Sequence, residues 1–352
     1  MKSFKTKLAF TFFLINSLAL FAFQKESKTL HKEIDVQPNA LVEIENQFGN
    51  LTLSSWDQNK VVLDVQITVS GSNSKRVLEK LENITVLFDL DPAHIKAKTV
   101  IEDSWNSNWF SQSKLHFTID YTVKLPRTSH VDLKNDYGTL VLNALEGNAK
   151  IQCDYGKLII GELLSPTNYL SFDYTSNSTI DTMKGGEIKA DYSTFELDRG
   201  GEINLVADYT NAQFSYVEQL QFKNDYGKLI VDEAHTVLGS GDYLTLVIGS
   251  LSDHADLKQE FGALLIESIS PTAKKIQIKA EYTGIKMNID PNWAFDYRLT
   301  LEYATFKHNL PLQHQIIKEE ASDKTYEGYH GRANSGNNIV IDSEFGGVKF
   351  NY

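Results

Sequence analysis

The sequence contains a single cysteine, Cys153, among its 352 residues, which excludes a disulfide within the chain. No stretch beyond residue 23 is apolar for 18 residues, so no later membrane-spanning helix is predicted. The motifs GxxxxGK(S/T), GxGxxG, HExxH, GxSxG and CxxC are missing, and the nine histidines are scattered. These absences indicate no enzyme class, no cofactor and no catalytic residue.

The chain is acidic and begins with a short apolar segment. Its formal charge of −12 becomes −15 without Lys2, Lys5 and Lys7, which disfavours nucleic acid and anionic membranes as partners. Because those lysines precede an apolar run, residues 1–23 are predicted to be a secretory signal peptide, cleaved after Ala22. An uncleaved anchor is the alternative. The expected location is the periplasm, the outer cell surface or the medium.

One short motif recurs through the chain. Residues 135–142, Asn-Asp-Tyr-Gly-Thr-Leu-Val-Leu, return with few changes at 153–160 and 224–231. From residue 137 to 303 its aromatic position repeats every 17 to 21 residues, a period typical of solenoids. The full aromatic series is Phe48, Tyr137, Tyr155, Tyr174, Tyr192, Tyr209, Tyr226, Tyr243, Phe261, Tyr282, Tyr303 and Phe345.

The apolar residues around each aromatic indicate two strands joined by a bend. In the first full copy, Leu133 lies four residues before the aromatic, whereas Leu140 and Leu142 lie three and five residues after it. This change from even to odd spacing indicates a bend between two strands, with a small residue such as Gly138 at the bend. We predict an all-β chain that forms a parallel β-solenoid (β-helix) of 17–21-residue turns. Repeated antiparallel hairpins are the alternative.

The predicted solenoid occupies residues 128–352, and residues 24–127 form a β-rich capping region. The cap contains an early repeat around Phe48, several strands, and one amphipathic helix over residues 74–84. Its apolar face comprises Val77, Leu78, Leu81 and Ile84. Such a β-meander with one helix would cover the open end of the solenoid. Residues 310–338 are predicted to be a long polar loop, followed by a final repeat.

The aromatic position has two interpretations. Strict alternation places it on the inward face, which predicts an internal aromatic stack. A surface row of tyrosines that grips a polysaccharide is the alternative. Cys153 lies two residues before an aromatic and is expected to be a small core residue.

An acidic residue precedes the aromatic in every repeat from Tyr137 onward and is expected to face outward. Stacked carboxylates about 4.8 Å apart would repel by about 1 kcal/mol per pair in a water-like medium. Asx-turns, lysines two residues upstream, or bound Ca²⁺ could compensate. This acidic column comprises Asp136, Asp154, Asp173, Asp191, Asp208, Asp225, Asp242, Glu260, Glu281, Glu302 and Glu344; its seven aspartates are the candidate metal ligands.

A second candidate site is a polar segment that contains Trp105, Trp109 and Phe110. These aromatic side chains could form a platform for stacking sugars. They could equally anchor the segment to the fold.

Residues 121–126, Tyr-Thr-Val-Lys-Leu-Pro, are followed at 131–138 by Val-Asp-Leu-Lys-Asn-Asp-Tyr-Gly. Together these segments resemble the bacterial putative adhesin repeat family, a domain of unknown function. The resemblance covers residues 34–352. It implies an exported β-solenoid of the cell envelope and brings no catalytic residues with it.

We therefore expect a non-enzymatic, exported binding or scaffold protein of the bacterial cell envelope. Its expected partner is an envelope or extracellular protein or a polysaccharide. A β-helical polysaccharide lyase or hydrolase is one alternative, and it requires carboxylates that converge with Arg199 or Arg298. An outer-membrane β-barrel is another, suggested by the alternating Val348, Phe350 and Tyr352.

The signal-peptide prediction can be tested by N-terminal sequencing of the protein isolated from bacteria that express it. The expected first residues are Phe23-Gln24-Lys25, because cleavage is predicted after Ala22. A protein that retains Met1 would support the uncleaved anchor instead.

Overall fold

The computed structural model describes residues 24–102 and 115–352, which contain 26 strands and one helix. Every strand belongs to one sheet, which is mostly parallel and is not closed. In chain order the elements are β1 (Gln24–Asp35), β2 (Leu41–Gln47), β3 (Leu51–Trp56), β4 (Lys60–Gly71), α1 (Ser74–Asn83), β5 (Ile84–Asp91), β6 (His94–Ile101), β7 (His116–Pro126), β8 (His130–Asp136), β9 (Thr139–Leu145), β10 (Ala149–Asp154), β11 (Lys157–Leu163), β12 (Asn168–Asp173), β13 (Ser178–Asp191), β14 (Thr194–Asp208), β15 (Asn211–Asp225), β16 (Gly227–Asp242), β17 (Leu244–Glu260), β18 (Ala263–Ile269), β19 (Lys275–Glu281), β20 (Gly284–Ile289), β21 (Phe295–Glu302), β22 (Thr305–His308), β23 (Gln313–Glu319), β24 (Asp323–His330), β25 (Asn338–Glu344) and β26 (Gly347–Asn351).

Equivalent strands of successive repeats pair in parallel and in register. Strand β8 pairs with β10 so that Asp136 lies beside Asp154, and β9 pairs with β11 so that Leu140 lies beside Leu158. In each repeat from Tyr137 onward, the strand before the aromatic ends at the acidic-column residue, as β8 ends at Asp136 and β10 at Asp154. The aromatic that follows forms the corner before the next strand. The all-β class and the parallel stacking are confirmed, whereas the solenoid stays a prediction.

The inward positions form one continuous apolar core. Leu133, Leu140 and Leu142 are buried, and so are most of their counterparts in the other repeats; in the repeat of Tyr303, Phe306 is only partly buried and His308 is exposed. Cys153 is fully buried, and burial raises the pKa of its thiol to about 12, so the thiol is inert at neutral pH. This confirms it as a small core residue.

Antiparallel strands cover the N-terminal end of the parallel stack. Strand β4 pairs with both β1 and β7, and β5 pairs with β6. Helix α1 packs Val77 and Leu81 into the core, but Leu78 is 47% exposed and Ile84 already belongs to β5. The predicted four-residue apolar face of the helix is therefore wrong, because the chain becomes extended at Ile84. Within the described residues, no helix has the length and apolar character needed to cross a membrane.

The C-terminal part of the chain departs from a simple succession of repeats. The segment 310–338, predicted as a long loop, contains β23 and β24, and β24 pairs antiparallel with β21. The final repeat does not add to the end of the stack. Instead, β25 lies between β19 and β21, and β26 lies between β20 and β22. The antiparallel hairpin of β23 and β24 lies between β22 and β25 in the chain. It allows β25 and β26 to insert between earlier strands because it carries the chain back past the preceding repeat.

The interior of each corner is filled by a side chain either from the residue two before the aromatic or from the residue directly after it. Where a glycine follows the aromatic, the residue two before the aromatic is usually polar and long enough to reach the gap. A Cβ on Gly138 would lie 3.1 Å from Asn135 Nδ2, and one on Gly156 would lie 3.1 Å from Cys153 Sγ. Where Thr210 follows the aromatic, the residue two before the aromatic is the small Ala207. The Thr210 hydroxyl then fills the corner and donates to the Ala190 carbonyl oxygen at 2.7 Å.

Two glycine substitutions test this packing. A Cβ at Gly156 would lie 2.1 Å from the Gly138 carbonyl oxygen, whereas a Cβ at Gly284 meets no atom within 4 Å. We expect Gly156→Ala to lower the free energy of unfolding by about 1–3 kcal/mol, as overpacking does. Gly284→Ala, the matched control, should change it by less than about 0.5 kcal/mol. Urea unfolding followed by circular dichroism measures both, and equal effects would contradict the packing argument.

Candidate functional site

A row of stacked aromatic side chains lies on the surface along the corners. We call it the aromatic ladder; in spatial order it comprises Phe48, Tyr137, Tyr155, Tyr174, Tyr192, Tyr209, Tyr226, Tyr243, Phe261, Tyr282, Phe345 and Tyr303. Their exposed fractions run from 37% at Phe48 to 62% at Tyr303. The predicted internal stack is therefore wrong, and the surface row, its alternative, is the arrangement found.

The backbone conformation of the ladder residues explains why strict alternation of side chains predicted the wrong face for them. Every ladder residue has a positive φ, from 48° at Tyr303 to 61° at Phe48, in the left-handed region that non-glycine residues rarely adopt. A left-handed residue interrupts the alternation of an extended strand, so the aromatic side chain turns outward together with the acidic residue before it. The change of phase therefore occurs at the aromatic itself, and the next residue faces inward.

The rings stack almost parallel, which determines what the ladder offers a ligand. Neighbouring centroids are 4.7–5.1 Å apart, with interplanar angles of 1–9°. Each inner ring therefore has both faces covered by its neighbours and exposes its edge, which in nine of the twelve residues carries a phenolic hydroxyl. Eleven steps of this size give a row about 50 Å long.

The N-terminal end of the ladder is closed. The ring of Phe117 packs edge-on against Phe48, with centroids 5.3 Å apart, and the Lys80 ammonium lies 4.8 Å from the Phe117 centroid. The capping strand β7 therefore covers the first ring face. At the other end, Tyr303 is the most exposed ring of the row.

The acidic column runs beside the ladder, one residue earlier in each repeat. Its carboxylates bond across repeats, since Asp154 Oδ1 accepts from the Asp173 amide at 3.2 Å and Asp225 Oδ1 accepts from the Asp242 amide at 2.9 Å. Asp173 and Asp191 accept in the same way. The predicted local Asx-turn is wrong for these aspartates, because the amide that each one reaches belongs to the next repeat.

Three carboxylates of the column have a raised pKa. Partial burial, and to a lesser degree the neighbouring carboxylates, raise the pKa of Asp136, Asp173 and Asp242. Lys134 and Lys258 approach their own repeats' carboxylates at 3.7 and 3.0 Å. Lys189, in contrast, pairs with Glu187 at 3.2 Å rather than with the column. The predicted lysine compensation is thus only partial.

Two ligand sites were predicted from the sequence, a calcium site on the acidic column and a sugar platform. Across residues 24–102 and 115–352, no three His, Cys, Asp or Glu side chains are grouped so as to hold a metal ion. Calcium binding by the column of Asp136, Asp154, Asp173, Asp191, Asp208, Asp225 and Asp242 stays a prediction. Trp105, Trp109 and Phe110 lie outside the described residues, so the sugar platform also stays a prediction.

The fold and this surface define a class: an all-β repeat protein with an exposed aromatic ladder beside a column of carboxylates. No protein-family model and no curated protein matches the chain. Among solved structures it is similar to a putative adhesin of Parabacteroides merdae, with 12% identity over 74% of this chain and 92% of that one, and a TM-score of 0.30.

Two further solved structures match a larger share of this chain. A putative cell adhesion protein of Clostridium sporogenes is 10% identical over 93% of this chain and 99% of that one, with a TM-score of 0.18. A putative lipid binding protein of Parabacteroides distasonis is 7% identical over 92% and 96%, with a TM-score of 0.30. The resemblance to putative adhesins is confirmed, in that similar structures from several bacteria bear that description.

The raised pKa of Asp173 predicts a pH-dependent stability difference. Asp173→Asn retains an oxygen that can accept from the Asp191 amide, but it removes a charge between two like charges. Because folding raises the pKa of Asp173, its ionised form destabilises the folded state. At pH 7, in low salt and a chelator, the variant should therefore be slightly more stable, by less than about 1 kcal/mol, because solvent screens this partly exposed carboxylate.

This gain should disappear as the pH falls through the raised pKa towards the ordinary value of 3.8, because the wild-type side chain then becomes neutral as well. It should also shrink in 1 M salt. Thermal melts of both proteins from pH 7 to 4 measure the difference. A variant that is less stable than wild type at pH 7 would contradict the prediction.

Proposed function

We propose that this protein is an exported, non-enzymatic β-solenoid of the bacterial cell envelope that binds an extended polysaccharide along the aromatic ladder. One observation carries the proposal: the fold holds twelve aromatic residues in the left-handed conformation and thereby exposes their rings. Such a conformation costs about 1–3 kcal/mol per residue and is concentrated at functional sites. Burial of the same rings would have been the favoured outcome on hydrophobic grounds alone.

The chemistry of the ladder favours a hydroxyl-rich polymer. Tyrosine edges present hydroxyl groups at intervals of about 5 Å, and the adjacent carboxylates are hydrogen-bond acceptors. A neutral polysaccharide offers both donors and acceptors in a regular series. The carboxylates would repel an anionic one. Many weak contacts along a row about 50 Å long could together give useful affinity.

The enzymatic alternative has little support in the described residues. Arg298 pairs with one carboxylate, that of Glu327, at 3.0 Å. The guanidinium of Arg199 lies over the Tyr216 ring, 5.6 Å from its centroid. The lyase or hydrolase alternative requires several carboxylates that converge with one of these arginines. Neither arginine has that environment among the contacts described.

The proposal is tested by removing hydroxyls while keeping the stack. The quadruple variant Tyr174→Phe, Tyr192→Phe, Tyr209→Phe and Tyr226→Phe should retain the wild-type melting temperature, because phenylalanine already occupies ladder positions at Phe261 and Phe345. Its affinity for a neutral polysaccharide should fall at least about tenfold, because four hydroxyl contacts are lost. Affinity electrophoresis in gels containing cellulose derivatives, xylan, dextran or alginate measures binding.

The matched control changes four tyrosines outside the ladder: Tyr169→Phe, Tyr216→Phe, Tyr329→Phe and Tyr352→Phe. It should migrate like wild type. The proposal is wrong if no neutral polysaccharide retards the wild-type protein, or if the ladder variant is retarded as strongly as the control. Stronger retardation by alginate would also contradict it, because alginate is anionic.

A further inference from the structure

Three lysines stand side by side on the outward face of three neighbouring strands. Lys286 of β20 pairs in register with Lys349 of β26, and Lys349 pairs with Lys307 of β22. Like charges directly opposite each other on adjacent strands destabilise a sheet. Among the described residues, no carboxylate lies within ion-pair distance of any of the three. In a chain with a net charge of −12, this row is a local basic site without an internal counterion.

One of these lysines, Lys286, lines a shallow apolar groove. It has a volume of about 400 Å³, and its polar lining is slight beside its apolar lining. Leu265 and Val247 continue the row of Lys286 along strands β18 and β17, since Leu265 pairs with Lys286 and Val247 pairs with Leu265. The apolar side chains of Val247 and Leu265 and the three lysines therefore form one continuous row across neighbouring strands.

Small residues keep the groove open. Ala263 lies two residues before Leu265, and Gly284 lies two residues before Lys286; these two small residues pair in register. Gly347, two residues before Lys349, is the equivalent residue of β26. A Cβ on Gly284 would meet no atom within 4 Å, so packing in the fold does not require glycine there. Gly284 and Gly347 are the first residues of β20 and β26, so the groove floor lies where these strands begin.

The ladder also changes character beside the groove. Two of its three phenylalanines, Phe261 and Phe345, precede Ala263 and Gly347 by two residues. Those corners therefore lack the hydroxyl that tyrosine supplies elsewhere. The two phenylalanine corners thus lead into β18 and β26, which line the groove beside β17 and β20, and the lysine row continues from β20 across β26 to β22.

We propose that this groove binds an anionic amphiphile, with its acyl chain along Val247, Leu265 and Gly284 and its phosphate or carboxylate head against Lys286, Lys349 and Lys307. The apolar groove buries the chain and the lysines neutralise the head, so neither part alone accounts for the site. The site uses residues outside the ladder, and it can therefore exist whether or not the ladder binds a polysaccharide.

Calorimetric titration of the full-length protein with dodecyl phosphate, below its micelle concentration, tests the proposal. We expect saturable binding of one molecule. The affinity should be weaker for octyl phosphate, by up to about fourfold for each methylene removed. Inorganic phosphate, dodecyl maltoside and dodecyltrimethylammonium should bind far more weakly, because each lacks the chain or the anionic charge.

Two variants separate the two halves of the site. Lys286→Gln, Lys307→Gln and Lys349→Gln together should weaken dodecyl phosphate binding about tenfold or more. The control Lys75→Gln, Lys184→Gln and Lys318→Gln, with the same change of net charge, should leave it unchanged. Gly284→Leu should abolish binding by filling the groove while the melting temperature stays at the wild-type value, because space is open there.

Several outcomes would overturn the proposal. Equal binding of inorganic phosphate and dodecyl phosphate would make this a simple anion site. Equal binding of dodecyltrimethylammonium would make it a nonspecific apolar surface. Wild-type affinity in the folded Gly284→Leu protein or in the lysine variant would show that the groove is not used. Binding to anionic phospholipid vesicles without binding to monomeric dodecyl phosphate would indicate a membrane surface as the partner instead.

Discussion

The in-register parallel pairing of equivalent strands is the constraint on which the rest of the structure depends. Because each residue lies beside its counterpart one repeat away, about 4.8 Å distant, any property of one position becomes a column along the molecule. Leucines become a continuous core, and aromatic corners become a ladder. Aspartates become a line of like charges, as Asp136 beside Asp154 shows.

The same constraint explains how the strained corners persist. One aromatic in the left-handed region would be an isolated cost, but twelve in register bring their rings to stacking distance, and aromatic pairs contribute about 0.5–1.5 kcal/mol each beyond their area burial. Hydrogen bonds such as that from the Tyr137 amide to the Asp154 carbonyl oxygen, at 2.9 Å, tie each corner to the next repeat. A corner is therefore stabilised mainly by its neighbours.

Much of the fold follows from the sequence, because the alternation of apolar residues is a local property. The strands, their order around each corner and the inward leucines such as Leu133 and Leu140 were predictable from spacing. The orientation of Tyr137 was not. A phase change of one residue can occur at the aromatic or just after it, and only the backbone dihedral distinguishes these possibilities.

The candidate sites show a second limit of sequence reasoning. The acidic column was visible because one chemical type recurs at one spacing. The row of Lys286, Lys349 and Lys307 was not, because two of these residues belong to repeats that are adjacent in space but not in sequence order. The sequence contained one signal for it, a lysine four residues after each of the aromatics at 282, 303 and 345. Recognising it requires the order of the strands in the sheet.

That order has a consequence for folding. Because β25 and β26 lie between strands that precede them in the chain, this interior layer of the stack forms only after those strands have been synthesised. The earlier repeats can pair one after another in chain order, but β19 and β21 acquire their shared neighbour only when β25, which ends at Glu344, is available. A chain truncated before β25 would therefore lack the layer that joins β19 to β21 and β20 to β22.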